Sequence, residues 1–390
     1  MPMARPAAPP TAESRPHLLT RGFTLTCLCT FFFFLSFYLL LPTLPLYALQ
    51  YGMGESEIGL IIGAFSLTAL VVRPYVGRAI DRRGRKGMVL LGTAVFLTAS
   101  LAYHYTRTVG SLLALRLLHG SGMGFFTTAA SAVITDLAPP ARRGEAMGYF
   151  GLAANLAMAV GPALGMRLAS DGTFGGLFLA AGGVALVAVL LGTGVPETLL
   201  AGTTPPAAAP LFSRRALFPA GAMLSLCVTY GAVVSFLPLL GRQVGMGNPG
   251  LFFTIYAVFL VLTRPVAGPL SDRVGRAAVV LPGMALVAAA TGTLAAASAP
   301  GWLLLAGALY GIGFGAAHPA LMALTADRVE AAERGRAMAT FYAALELGIG
   351  SGSVLLGVLL AYSSFPAMFG AAAAIAAAGT LGFLFGYRRL

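Results

Sequence analysis

Few side chains here could do chemistry, and the most informative sit inside apolar stretches. Glu346 is the only one of thirteen acidic residues that falls deep within such a stretch. It lies about twelve residues into its run, at a depth of about 18 Å, near the middle of a bilayer. A carboxylate at that depth is a functional candidate, and apolar surroundings disfavour its charged form, which suits a proton carrier. A structural reading stands beside this one, in which Arg116 or a tyrosine such as Tyr342 pins the carboxylate. Arg116 and His119 are three residues apart and share a helix face. Arg116 lies roughly 9 Å below the surface of its span. It must face a cavity or a partner there, or snorkel outward. His318, followed by Pro319, could relay protons near neutral pH or simply pack. His104 reads as interfacial. Asn155 is the one intramembrane amide among two Asn and two Gln.

Other chemistries find no support. There is no nucleophile set beside a base, no metal-ligand cluster and no glycine-rich phosphate loop opening on a strand. An enzyme, ATP-driven transport and a resident cofactor are therefore not expected. Cys27, Cys29 and Cys227 all lie in apolar runs and read as small filler rather than a disulfide framework or a soft-metal pair.

These residues must be positioned by membrane helices. The chain is 58% hydrophobic and 10% charged, against about 25% charged in a soluble domain. Its apolar residues form runs of about twenty, enough to cross a bilayer as helices. Twelve spans are expected: 22–49, 57–78, 87–105, 110–136, 143–169, 174–194, 216–242, 249–270, 277–297, 301–326, 334–361 and 365–387. The first run is too long for a signal peptide and lacks a small-residue cleavage site. The net charge of +12 could suggest a nucleic acid partner, but its distribution argues for topology. Nineteen of the twenty-five Lys and Arg fall in the tails and alternate loops, whereas the intervening loops hold Arg107, Arg167 and Arg242. This is the positive-inside pattern. It predicts a multi-pass protein of the cytoplasmic (inner) membrane with both termini in the cytoplasm, bound by lipid and not by nucleic acid.

The chain also repeats itself. RPYVGRAIDRRGRK (73–86) returns as RPVAGPLSDRVGR (264–276), and LHGSGMG (118–124) returns as LYGIGFG (309–315), always 191 residues later. Asp136 returns as Asp327 at the same spacing. The expected organisation is a disordered tail (1–21), a six-helix bundle (22–197), a Pro- and Ala-rich cytoplasmic linker (198–214) and a second six-helix bundle (215–390). Six spans restore the starting side, so the repeats are parallel, a transporter plan with a site between them. Glu346 maps onto Asn155 at the same offset, which places two polar groups at matching depths in the two halves.

The loop Gly77-Arg78-Ala79-Ile80-Asp81-Arg82-Arg83-Gly84-Arg85-Lys86 resembles the signature between helices two and three of the major facilitator superfamily. Arg83 and Ile80 depart from the usual aromatic and small residues, and the Gly, Asp and Arg positions are kept. The resemblance covers nearly the whole chain and its drug/proton antiporter-like branch, and it implies the all-α fold of twelve transmembrane helices in two pseudo-symmetric bundles. It also implies that a cytoplasmic charge cluster locks the outward-facing state. In the first copy this is Gly77, Asp81, Arg82, Gly84 and Arg85 with Asp136; in the second it is Asp272, Arg273 and Arg276 with Asp327. Physically, Gly77 and Gly84 would allow close approach and a tight turn. Asp81 would meet the positive end of the eleventh helix near Arg334, and Arg85 would reach Asp136. Topology-setting charge alone is the other reading. Arg116 to Gly120 is similar to the family's second motif, with His119 in place of Gln. Gly161-Pro162-Ala163-Leu164-Gly165 resembles the fifth-helix signature of export by antiport, with Met166 where a second glycine is usual; generic helix packing is its alternative.

Scarce amides disfavour a sugar site, which needs several convergent donors and acceptors. Phe34, Tyr38, Tyr230 and Tyr256 are the expected aromatic liners, unless they face lipid or core. Such a cavity with one acid suits lipophilic and amphiphilic molecules, cationic ones included. The expected function is secondary active transport by alternating access, with proton-coupled efflux in the lead. An importer or uniporter of a small metabolite is the alternative, and a non-transporting sensor has no appended domain to support it. The expected partners are a small-molecule substrate, protons and the bilayer, with no metal and a monomeric state.

Overall fold

In lipid every backbone polar group must find its partner within its own segment, and apolar runs of this length do so as helices. The computed structural model describes residues 18–139, 142–169, 172–199, 212–330 and 333–388, apart from the side chain of Asp81. Nearly all of the expected tail and most of the linker, residues 200–211, lie outside these. Thirteen α-helices follow in order: α1 (Arg21–Leu40), α2 (Leu44–Gln50), α3 (Glu55–Arg83), α4 (Lys86–Ala102), α5 (Val109–Leu137), α6 (Arg143–Leu168) and α7 (Gly175–Thr193). Then come α8 (Leu217–Gln243), α9 (Gly250–Val274), α10 (Arg276–Ala295), α11 (Pro300–Asp327), α12 (Arg334–Ala361) and α13 (Phe365–Tyr387). With α1 and α2 counted as one, they supply twelve segments long and apolar enough to cross a membrane. This is a multi-pass membrane protein with the twelve-helix architecture expected from the sequence.

Two boundaries differ from expectation in ways that matter. The first span is broken at Leu41-Pro42-Thr43, where Pro42 and Pro45 prevent one continuous helix. The second span does not end at residue 78. It continues as helix to Arg83, and α9 likewise runs to Val274. Gly77 and Asp81 thus ride on the last turns of α3 rather than in a loop. The actual turns are Gly84 and Gly275, at φ +95° and +94°, a conformation that suits glycine.

The first six spans meet the last six along two seams, α3 on α12 and α6 on α9. At the ends away from the Arg85 and Arg276 turns, here called the far side, both seams interlock through small residues. A Cβ added to Gly59 would lie 2.3 Å from the Ser353 carbonyl oxygen, and one on Gly250 would lie 2.4 Å from that of Pro162. Asn248 donates to the Ala163 carbonyl at 3.0 Å and Thr254 to the Ala159 carbonyl at 2.7 Å. At the other end, the basic side, Gly77, Gly268 and Gly335 have open space around them. The seams are closed on the far side and parted on the basic side. Van der Waals fit between small residues is a main source of helix association in a bilayer, so the far-side glycines hold this conformation.

Gly59→Val should therefore weaken far-side closure by about 1–3 kcal/mol. A cysteine introduced at Leu345, in a background free of the three native cysteines, should then be labelled from the far side by an impermeant maleimide roughly tenfold faster.

Candidate functional site

Between the two sets of helices lies a cavity of about 330 Å³, within the range that holds small ligands. Phe34 and Tyr38 of α1, Asn155 of α6, Tyr230 of α8, Tyr256 of α9, His318 of α11 and Glu346 of α12 all line it. With Arg116 of α5, eight residues singled out in the sequence therefore converge on one space. Asn155 and Glu346 share it, as their matching positions in the repeat predict. The aromatic liners form a connected wall in which Tyr230 stands 6.0 Å from both Tyr256 and Phe314, ring centre to ring centre. Phe314 stacks on His318 at 5.5 Å, with the planes 10° apart.

Glu346 is paired, but with neither expected partner. Its Oε1 accepts from Nη2 of Arg73 at 2.7 Å. Tyr342 instead points its hydroxyl at the sulfur of Met322, 3.6 Å away. The Arg73–Glu346 pair joins α3 to α12, and so crosses between the two sets of helices at the cavity wall. A buried ion pair is a poor source of net stability, but removing one partner leaves an uncompensated charge.

Arg116 does not snorkel outward. It is 1% exposed, donates to the carbonyls of Ile61 at 3.3 Å and Ile62 at 3.4 Å, and lies 4.4 Å from the centre of the Phe65 ring. It is also one of the residues that line the cavity. His119 shares that helix face but is not among the cavity-lining residues. It is fully enclosed, its Nδ1 is 3.1 Å from the Tyr103 hydroxyl, and its ring lies against Phe65 and Phe96. The helix turn that aims Arg116 toward the cavity sends His119 into the packing of α5 against α3 and α4.

On the basic side, ion pairs form within each set of helices. Arg85 Nε meets Asp136 Oδ2 at 2.6 Å. Arg276 meets Asp327 at 2.8 Å and also pairs with Asp272. Arg82 and Arg273 are exposed. The expected contact between Asp81 and the start of α12 lies outside the described residues. Gly77 supports no close approach in this conformation, because the seam beside it is parted. Gly84 does. Its α-carbon backs onto the carboxylate of Glu197, which lies 2.3 Å from where a Cβ would sit. Glu197 accepts the backbone N–H groups of Arg85 at 2.9 Å, Lys86 at 3.1 Å, Thr198 at 2.9 Å and Leu199 at 2.9 Å. Thr198 then donates to Asp136 at 2.6 Å. The residues following α7 thus clasp the turn between α3 and α4.

The fifth-span motif packs on the far side. A Cβ on Gly161 would lie 2.6 Å from that of Tyr38, and one on Gly165 would lie 2.1 Å from the Leu39 carbonyl oxygen. Pro162 presents its carbonyl to Gly250 across the seam. All three residues are buried, so this motif seats α6 on α1 and α9 rather than lining the cavity.

A sequence model of the Major Facilitator Superfamily matches residues 26–252 and 249–389. The chain belongs to the Major Facilitator Superfamily. Among curated proteins it is 31% identical over 172 residues to Multidrug resistance protein 1 of Bacillus subtilis (strain 168), covering 44% of each chain. It is 26% identical over 135 residues to Quinolone resistance protein NorA of Staphylococcus aureus, covering 35% of each. The alignments thus span less than half the length of these curated relatives. Among solved structures, that of the nucleoside transporter NupG superposes with a TM-score of 0.80 at 13% identity, over 93% of this chain and 99% of the other. That likeness concerns the fold.

Sequence reasoning missed three site residues. Arg73 and Arg264, the first residues of the two repeated stretches, both line the cavity. The rule that flagged Arg116, that an arginine inside a span needs a reason, applies equally to them. Glu197 gave no signal, because its partners are backbone groups.

Partial burial alone would raise the Glu197 carboxyl, but the four N–H donors outweigh it and hold the group below its ordinary 4.5. A lowered folded value stabilises above the unfolded one, and that contribution is lost as pH falls through the folded value. Glu197→Gln should therefore lower the thermal midpoint by a few degrees at neutral pH. Comparison of the two midpoints across pH should show the gap closing below about pH 4.

Proposed function

We propose that this chain is a secondary transporter that exports small amphiphilic molecules in exchange for protons by alternating access. It has two bundles, 22–197 and 215–390, joined by a linker at 198–214 and preceded by a tail at 1–21. The basic side and both termini lie in the cytoplasm of a cell whose inner membrane holds the protein. The working unit is a monomer that uses the proton gradient and no cofactor. The similarity to proteins named for multidrug and quinolone resistance supports export, and the charge distribution supports the orientation.

The observation that carries the reading is the Arg73–Glu346 ion pair at 2.7 Å, which ties α3 to α12 beside the cavity. In the conformation described, the far side is closed, the basic side is parted and Glu346 holds its partner as a carboxylate. Protonation of Glu346 removes the attraction across the seam. Losing one partner of a buried pair is worth about 3–5 kcal/mol. With the Arg73 side chain 27% exposed, the lower end applies, still about two orders of magnitude in a population ratio. One proton on Glu346 can thus shift which side is open. Asn155, Tyr38 and Tyr256 face the same space, so substrate contacts and the proton-binding group are neighbours, as competition between them requires. The far-side glycines are the packing contacts given up in the other state, while the Arg85 and Arg276 clusters, with Asp136, Asp272 and Asp327, hold each set of helices together as it moves.

In proteoliposomes, an imposed proton gradient should drive uptake of a fluorescent amphiphile into inside-out-oriented vesicles. Glu346→Gln should cut gradient-driven flux roughly tenfold or more while leaving gradient-independent exchange measurable. Flux that ignores the gradient, or a Glu346→Gln protein with wild-type coupling, would contradict proton exchange. Accumulation in the same direction as the protons would make the chain an importer.

A further inference from the structure

The cavity carries more positive than negative charge. Three arginines, Arg73, Arg116 and Arg264, line it against the one carboxylate of Glu346. Arg73 is neutralised by that carboxylate. Arg116 is turned onto two carbonyls and a phenyl ring. Arg264 is left. It comes from α9 at the position matching Arg73 of α3, and among the described residues it has neither a carboxylate nor a hydrogen-bond partner. Its Nε is buried and unbonded. The titratable groups facing it are Tyr38 of α1, Tyr256 of its own helix, His318 of α11 and Tyr342 of α12, none of them acidic.

We propose that Arg264 is the anion-binding subsite of the cavity, and that its substrates include amphiphilic organic acids. Their carboxylate pairs with this guanidinium, and their aromatic body lies among Tyr38, Tyr256 and Phe314. The inference rests on the transport reading above and names the substrate class of the same site. The chemistry follows from the charges. A partly buried cation without a counterion is unfavourable, and an entering anion relieves it where an entering cation adds to it. Guanidinium and carboxylate match as two parallel hydrogen bonds, which fixes the orientation of the acid. About 330 Å³ admits a one- or two-ring compound. Arg73 and Arg264 differ only in that the protein supplies a carboxylate to one, and the substrate supplies it to the other.

The test uses three compounds with one ring system: 1-naphthylacetate, its neutral amide, and the corresponding trimethylammonium cation. Their affinities are measured by titration calorimetry on the full chain in nanodiscs, at about pH 8, where the acid is ionised. The acid should bind about tenfold or more tighter than the amide, and the cation most weakly. Arg264→Gln should bring the acid and the amide to within about threefold of each other, and Arg264→Lys should keep most of the preference. Amide binding by both variants reports that the cavity is intact. Acid that binds wild type no tighter than amide, or a preference that survives Arg264→Gln, overturns the subsite. Should Arg264→Gln fail to fold, the ratio in wild type decides. Proteoliposome flux of the same compounds separates this from the transport reading. A gradient-driven amide or cation without acid preference sinks the subsite and leaves the exporter. Acid-selective binding with no flux of any compound leaves the subsite and sinks the exporter.

Discussion

An ion pair inside a membrane is the constraint on which the rest of this structure depends. Arg73 and Glu346 each sit within the membrane-spanning part of a helix, away from the charged ends, and either charge alone would be costly in that place. Held 2.7 Å apart, they satisfy one another only while α3 and α12 stay adjacent. The two sets of helices therefore meet at a point whose energy depends on one proton. The aromatic wall around it supplies apolar surface, and Asn155, Arg116 and Arg264 supply the few polar groups that can orient a guest.

The two ends of the molecule solve the closure problem with different physics. On the far side, closure rests on shape, with the Asn248 and Thr254 hydrogen bonds added along one seam. Gly59 and Gly250 let backbones approach to distances at which any side chain would collide. On the basic side, charge and hydrogen bonding organise each set of helices by itself. Arg85 holds Asp136 and Arg276 holds Asp327 within their own sets, and Glu197 clasps the first turn through four backbone donors. The two repeats are not equivalent there. The offset that maps Asp136 onto Asp327 carries Glu197 to Arg388, so among the described residues the second turn has no such carboxylate clasp, and Asp272 supplies its extra contact. The half that carries the fifth-span motif Gly161, Pro162 and Gly165 is thus also the half whose basic-side turn is tied down.

Much of this was legible in the sequence because membrane folds punish exceptions. An apolar run long enough to span must be a helix, and a carboxylate within it must have a purpose, so Glu346, Asn155 and the twelve spans could be read directly. The repeat placed Asn155 opposite Glu346, and both line one cavity. What escaped was geometry that residue type does not encode. His119 shares a face with Arg116, yet a helix face is wide enough for one to reach the cavity and the other to enter the core. Arg73 was visible as the head of the repeated stretch, but nothing in the sequence paired it with Glu346. Only the continuation of α3 to Arg83 sets it more than two turns deeper, beside Glu346. Glu197 pairs with backbone, which leaves no trace in composition.

The proposed exchange requires that a proton and a substrate exclude one another at Glu346. The most direct measurement is proton release from detergent-purified protein in weak buffer when a neutral amphiphile such as 1-naphthylacetamide is added, wild type against Glu346→Gln. The probe is neutral because an acid held at Arg264 would itself favour a proton on Glu346. Release by wild type that vanishes in the variant, while the variant still binds the compound, is the predicted result. Binding without release by wild type, or equal release by both, would contradict it and leave the Arg73–Glu346 pair as a structural tie.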